Sequence, residues 1–230
     1  MRLLRPRRTL MSTLVWVAAL LLLTPLSVAA QPYIGATGPE AGTIEIGGGV
    51  LWSQGYDAGS SAALETRNSG LGPLTLFETD SNMLSTTGVG AQLGVYLGRR
   101  LSAEGVFQYS RPTLRLRPAS DFEDAEAINI DGLVTTYVVG GSLLFHFGDG
   151  RVVPFVSGGA GYLRQLHEDN AVLVTGSEFH GGGGVKLWFG SASRIGLRLD
   201  AQVSSRDKAV AFEEKRRFIP TLGAGLTVRF

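Results

Sequence analysis

The sequence predicts an all-β fold, an eight-stranded antiparallel up-and-down transmembrane β-barrel, and three observations carry that prediction. Eight stretches alternate apolar residues with small or polar ones. The connections between them alternate long and short, the asymmetry of a barrel with tight turns at one end and loops at the other. Beyond the N-terminal segment no run of about 18 apolar residues occurs, so the bilayer-crossing solution open to this chain is a closed sheet.

The N-terminal segment reads as a leader. Arg2, Arg5, Arg7 and Arg8 form a basic head, Leu10 to Leu26 an apolar body, and Ser27-Val28-Ala29-Ala30 a small-residue close. Residues 1–30 are therefore expected to be a cleavable signal peptide, cut after Ala30, leaving 31–230 as a single barrel domain. A retained N-terminal helix is the competing reading, and Pro25 together with the small-residue close weighs against it.

The strands are expected near 42–53, 86–97, 101–112, 131–147, 152–165, 179–190, 194–206 and 217–230, each long enough to cross a bilayer at a tilt. The first sets Ile44, Ile46, Val50 and Trp52 against Glu45, Gly47, Gly49 and Leu51. In the second, Val89, Ala91, Leu93, Val95 and Leu97 oppose Gln92 and Tyr96; in the third, Leu101, Ala103, Phe107 and Tyr109 oppose Ser102, Glu104, Gln108 and Ser110. The fourth offers Thr135, Tyr137, Val139, Leu143, Phe145 and Phe147 to lipid. Both parities of the fifth are apolar, Phe155 and Leu163 on one and Val156 and Tyr162 on the other, so its faces stay open. The sixth puts Phe179, Val185, Leu187 and Phe189 outside and His180, Lys186 and Trp188 inside. The seventh sets Ile195, Leu197, Leu199, Ala201 and Val203 against Arg194, Gly196, Arg198, Asp200, Gln202 and Ser204. The eighth sets Phe218, Pro220, Leu222, Ala224, Leu226, Val228 and Phe230 against Ile219, Thr221, Gly223, Gly225, Thr227 and Arg229. A soluble sandwich would give similar strings; strand length and loop asymmetry favour the barrel.

The short turns are Gly98-Arg99-Arg100, Gly148-Asp149-Gly150-Arg151 and Ser191-Ala192-Ser193. The long connections, 54–85, 113–130, 166–178 and 207–216, read as loops, although Leu114-Arg115-Leu116-Arg117 alternates as an extension of the third strand would. Trp52, Tyr109 and Tyr137 fall toward the loop side, and Phe145, Phe147, Phe189 and Phe230 toward the turn side, as interfacial girdles do.

Composition excludes several functions. The chain has no cysteine, which removes disulfides and thiolate chemistry. With the four leader arginines set aside, 17 of the 21 basic residues face 20 acidic ones, so nucleic acid is not an expected partner.

The inward set combines Glu45, Glu104 and Asp200 with Lys186, Arg198 and Arg229, joined by His146 and His180. An eight-stranded barrel is narrow enough for side chains to fill, and unpaired buried charge is costly, so these residues are expected to pair as a structural core. The same residues would line the path of a narrow small-solute channel, the alternative reading. The glycine clusters 47–49, 158–159 and 181–184 lie inside strands, where they would relieve interior crowding and let Tyr96, Trp188 or Tyr162 cover the gap. They lack the lysine and hydroxyl residue of a phosphate-cradling loop.

Catalytic and ligand signals are sparse. Ser177 and His180, with Glu178 between them, could support acyl transfer on lipid if they converged, but they have opposite parity in an extended strand. His167-Glu168-Asp169-Asn170 and the Glu123, Asp124, Glu126 group lack the ordered spacing of a calcium loop. Arg206, Lys208, Lys215, Arg216 and Arg217 could meet lipid phosphates or solubilise a hairpin. No catalytic, cofactor or metal residue is assigned, and the protein is read as a non-enzyme.

These features together resemble the small outer-membrane β-barrel proteins of Gram-negative bacteria, the group related to the transmembrane domain of OmpA-like proteins, also described as a porin-like β-barrel domain. The resemblance rests on the leader ending at Ala30 and the eight strands over 42–230. It rests also on the run Pro154-Phe155-Val156-Ser157-Gly158-Gly159-Ala160-Gly161-Tyr162, on Gly196-Leu197-Arg198-Leu199-Asp200 and on the terminal Phe230. It implies an outer-membrane location with periplasmic N- and C-termini, outer-membrane lipid and lipopolysaccharide as partners, and recognition of Phe230 by the assembly machinery. No peptidoglycan-binding domain follows Phe230, so wall tethering through one is not expected. The expected role is structural or surface-interacting, with the 54–85 and 113–130 loops as contacts and the barrel monomeric. A narrow channel is the alternative and a lipid-modifying enzyme a more distant one.

Overall fold

The computed structural model describes residues 38–65, 74–121, 130–167, 172–190, 194–207 and 216–230; the expected signal peptide and the 191–193 turn lie outside them. Eleven strands form one antiparallel sheet among the described residues: β1 (Ile44–Ser53), β2 (Tyr56–Glu65), β3 (Leu74–Met83), β4 (Thr86–Tyr96), β5 (Leu101–Ser110), β6 (Thr113–Asp121), β7 (Ile130–His146), β8 (Val152–His167), β9 (Val172–Phe189), β10 (Ile195–Arg206) and β11 (Arg217–Arg229).

Eight of them close into a barrel in the order β1, β4, β5, β7, β8, β9, β10, β11, with β11 returning to β1 and β7 pairing β8. The register fixes its shape. A path across facing residues from Ser53 runs through Thr221, Gln202, Gly182, Ser157, Leu144, Ser102 and Tyr96. It re-enters the first strand region at Thr43, whose carbonyl accepts from the Tyr96 amide at 2.9 Å. That offset of about ten residues over eight strands tilts them by roughly 40°, within the range of closed barrels.

Alternation decides which side each residue faces. Val50, Leu93, Leu143, Leu222 and Leu226 are exposed on the outer surface, whereas Glu45, Glu104, Lys186, Leu144 and Trp188 are buried inside. An exterior richer in large apolar side chains than the interior is the inverse of a water-soluble sheet and suits hydrocarbon. The open question about the fifth expected strand is resolved by β8: Phe155 and Leu163 fill the interior while Val156 and Tyr162 face out. Tyr162 therefore covers no interior glycine, contrary to expectation. Among the described residues no helix is long and apolar enough to cross a membrane.

Three expected loops are corrected. The 54–85 connection holds the antiparallel pair β2–β3, the 113–130 connection begins with β6, and the 166–178 connection is taken up at both ends by β8, which runs to His167, and β9, which starts at Val172. The first two add strands to the sheet. These strands prolong the wall: Ser53 opposes Thr86 in β1–β4, and Tyr56 opposes Met83 in β2–β3, one register carried across the two-residue breaks Gln54-Gly55 and Leu84-Ser85. Likewise Ser110 opposes Thr136 and Thr113 opposes Leu133, so β6 continues β5 along β7 past Arg111-Pro112. The Leu114–Arg117 alternation is thus the extension it resembled, interrupted because Pro112 has no N–H to give the ladder. The backbone stays satisfied at the break, with Pro112 accepting from the Val134 amide and Thr113 from the Leu84 amide, both at 2.9 Å. In β2 a bulge between Asp57 and Gly59 puts Gly59 at φ +94° and lets its amide bond the Asp57 carboxylate at 2.7 Å.

Candidate functional site

The barrel interior and the projecting sheet are the two places where chemistry could reside. Lys186 on β9 anchors the lower interior: its ammonium donates to Glu45 Oε1 at 2.6 Å and to Glu104 Oε1 at 3.4 Å, and the side chain is fully buried. Arg198 on β10 donates to Glu104 Oε2 at 2.8 Å and to Asp200 Oδ1 at 3.1 Å. The Tyr96 hydroxyl donates to Glu45 Oε2 at 3.0 Å. Aromatic faces complete the solvation. The Arg198 guanidinium lies 4.9 Å from the Phe155 ring centre and the Arg229 guanidinium 4.3 Å from that of Trp188. The expected six charges therefore lie together, five of them in one hydrogen-bonded chain.

Glycine makes room for this chain. A Cβ on Gly94 would meet Glu104 Cγ at 3.0 Å, and one on Gly223 would meet Asp200 Oδ2 at 2.9 Å. One on Gly196 would meet the Trp188 ring at 2.9 Å, so that tryptophan covers a glycine outside the expected clusters, whose own side-chain neighbours include Gln92 at Gly47 and His180 at Gly159. Glu104, Asp200 and Trp188 thus each lie over a neighbouring strand's missing side chain, which is how a barrel this narrow accommodates carboxylates and a tryptophan.

A second cluster closes the upper interior. Glu178 accepts from Arg206 Nε at 2.6 Å and from the Ser204 hydroxyl at 3.1 Å, all three residues buried. Sequence reasoning placed Arg206 among the residues for lipid phosphate or a solvated hairpin; the structure puts it inside, because it continues the inward parity of Arg198, Asp200, Gln202 and Ser204. Glu178 was legible in the same way, sharing the parity of His180 and Lys186.

The lipid-modifying constellation does not assemble. Ser177 is exposed on the outer face, where its amide donates to Asp207 at 2.7 Å, while His180 turns inward and pairs Ser142 at 2.7 Å between Nε2 and Oγ. His146 pairs Ser102 in the same manner at 3.0 Å. Both histidines satisfy interior polar groups. The Glu123, Asp124, Glu126 group, Glu168 to Asn170, Lys208 and Lys215 lie outside the described residues.

Two small cavities border the interior among the described residues. A cavity of about 70 Å³ borders Leu51, Gln92, Gln108, Arg198 and Asp200, and one of about 20 Å³ borders Tyr56, Thr136, Gln165 and Arg206. Volumes of this size hold a few waters or one.

The architecture is similar to that of the outer membrane protein OprG from Pseudomonas aeruginosa, with a TM-score of 0.55 at 12% identity over 85% of this chain and 99% of OprG. The chain has the fold of the small eight-stranded outer-membrane β-barrels. Weaker likeness extends to the attachment invasion locus protein Ail of Yersinia pestis, with a TM-score of 0.44 at 14% identity over 83% of this chain and 100% of Ail. It extends also to Neisserial surface protein A, with 0.45 at 12% over 82% and 99%. No protein-family model matches the sequence, and no curated protein does. In this outer-membrane barrel fold, activities differ among members, so function rests on the site geometry.

Proposed function

We propose that the protein is a surface-interaction barrel of the outer membrane of a Gram-negative bacterium, with its short turns and both ends of the domain in the periplasm. One observation carries the reading: β2, β3, β6 and the upper part of β7 prolong the wall as a sheet beyond the apolar exterior, over an interior closed by the Lys186 and Glu178 clusters. A conducting role would need a hydrated path, and the paired charges occupy the place such a path would take. The protein works as a monomer whose exterior is fitted to lipid, and Phe230 ends the strand that the assembly machinery engages. The projecting sheet supplies the contact surface.

The chain's lack of cysteine makes topology directly testable. Ser61→Cys on β2 is expected to react with a membrane-impermeant maleimide on intact cells, and Arg100→Cys on a short turn only after the envelope is opened. The reverse labelling would overturn the orientation. Reproducible conductance steps from the purified protein in planar bilayers would replace surface interaction with the channel reading.

A further inference from the structure

We propose that Arg111 and Arg164 form a binding site for the phosphate groups of an outer-leaflet glycolipid on the outer face of the barrel; this rests on the outer-membrane reading above. The outer face of β5, β7 and β8 carries no charge from Leu101 to Tyr109, from Val139 to Phe147, or from Val152 to Tyr162. Along β8 that stretch rises about 25 Å at the tilt of this barrel, the height of a hydrocarbon band. Arg111 and Arg164 are the first outward charges above it, both exposed.

Their setting is that of an interfacial anion site. Arg164 faces Tyr137 across β8–β7, Tyr137 faces Tyr109 across β7–β5, and Arg111 follows Tyr109 on the same face. The Tyr109 and Tyr137 rings lie 5.3 Å apart, marking the depth at which amphipathic rings meet headgroups. Strand spacing and rise put the two arginine Cα atoms roughly 12 Å apart, a span one large headgroup can bridge.

Charge balance favours an anion here. The next arginine upward, Arg115, is held bidentately by Asp131 at 2.8 Å for both contacts, whereas among the described residues Arg111 and Arg164 form no salt bridge. With Arg117 exposed above them, four arginines on this face meet Asp131, the exposed Asp80 and, further along the sheet on β2, the exposed Asp57, whose carboxylate accepts from the Gly59 amide. At comparable height on β9 and β10 the outward residues are Ser177, Ser205 and Asp207, which offer no guanidinium. Planar guanidinium forks match phosphate oxygens, and tyrosines beneath them would lie against the upper acyl carbons.

The test is native mass spectrometry of the refolded, full-length protein in detergent, titrated with hexa-acylated lipid A and with the same lipid after dephosphorylation. Lipid A is expected to be retained, and the dephosphorylated form and millimolar inorganic phosphate are not expected to compete for its site. Arg111→Gln with Arg164→Gln is expected to weaken retention by about tenfold or more. Arg100→Gln with Arg194→Gln, at the opposite end, is expected to leave it unchanged. Equal retention of both lipids, an unaffected double variant, an equal loss in the opposite-end variant, or displacement by free phosphate would each overturn the proposal. Heat-modifiable gel migration reports the barrel separately, so its absence in the wild type would instead sink the membrane reading. If the double variant fails to migrate as folded, Arg111→Gln alone, at a strand break, is read in its place.

Discussion

Lys186 and Glu45 lie 141 residues apart in sequence and meet at 2.6 Å across the closed barrel. The contact joins β9 to β1, strands separated in the wall by β10 and β11, so it braces the cylinder through its middle rather than along a seam.

Removing that ammonium would leave two buried carboxylates facing each other. Lys186→Met is expected to destabilise the folded barrel by about 3–5 kcal/mol, the usual cost of breaking a buried pair from one side. Adding Glu45→Gln to it should recover part of the loss by removing one orphaned charge. Equilibrium urea unfolding in lipid vesicles measures both, and a Lys186→Met midpoint equal to wild type would show that the network contributes nothing to stability.

Glycine parity gives a sharper contrast. A Cβ at Gly159 would press on the Gly141 carbonyl and lie 2.6 Å from His180 Nε2, whereas one at the adjacent Gly158 would find its nearest neighbour at 3.9 Å. Gly159→Ala is therefore expected to cost about 1–3 kcal/mol through overpacking, and Gly158→Ala less than about 0.5 kcal/mol. The same unfolding assay distinguishes them, and equal effects would contradict the interior crowding.

These residues also show what the sequence made legible. Strands such as β10 and β11 have one apolar and one polar parity because lipid wets one face and a packed polar core the other, and their alternation carries that asymmetry directly. In β8 the code fails because Phe155 packs inside against the Lys186 and Arg198 cations, which need aromatic cover, and Leu163 is buried inside as well, so both parities are apolar. In β2 and β3 it fails for the opposite reason. Above the bilayer neither face meets hydrocarbon, and buried positions there include Ala58 and Ser81, which read as loop residues. The interior ionic partners were visible as an inward set, but which acid meets which base depends on barrel stagger, a property of all eight strands at once.

The projecting sheet has its own pH response. The hydrogen bonds from Arg115 hold the Asp131 carboxyl below its ordinary value. A depressed carboxylate stabilises the fold at pH above its unfolded value, about 3.9, and loses that contribution as pH falls through the lower folded value. Backbone exchange in β6 is therefore expected to accelerate under acid at pH values that leave the barrel strands protected. Asp131→Asn should remove this dependence, which hydrogen exchange across an acid series would reveal; identical acid profiles in the two proteins would assign the response elsewhere.

The barrel should also stand without its projection. Ser53 and Thr86 face each other at the upper end of β1–β4, so joining them through Asn-Gly in place of residues 54–85 closes the hairpin in register with a two-residue turn suited to the sheet twist. The deletion removes β2 and β3 and leaves β6 paired to β7 alone, while every pair linking the eight wall strands is retained. The shortened protein is expected to keep heat-modifiable migration and strand-rich circular dichroism, and to lose the acid-sensitive protection in β6. A deletion variant that cannot be folded into lipid vesicles would mean that the projecting strands are needed to close the barrel, and that the breaks at Gln54-Gly55 and Leu84-Ser85 do not separate the two parts.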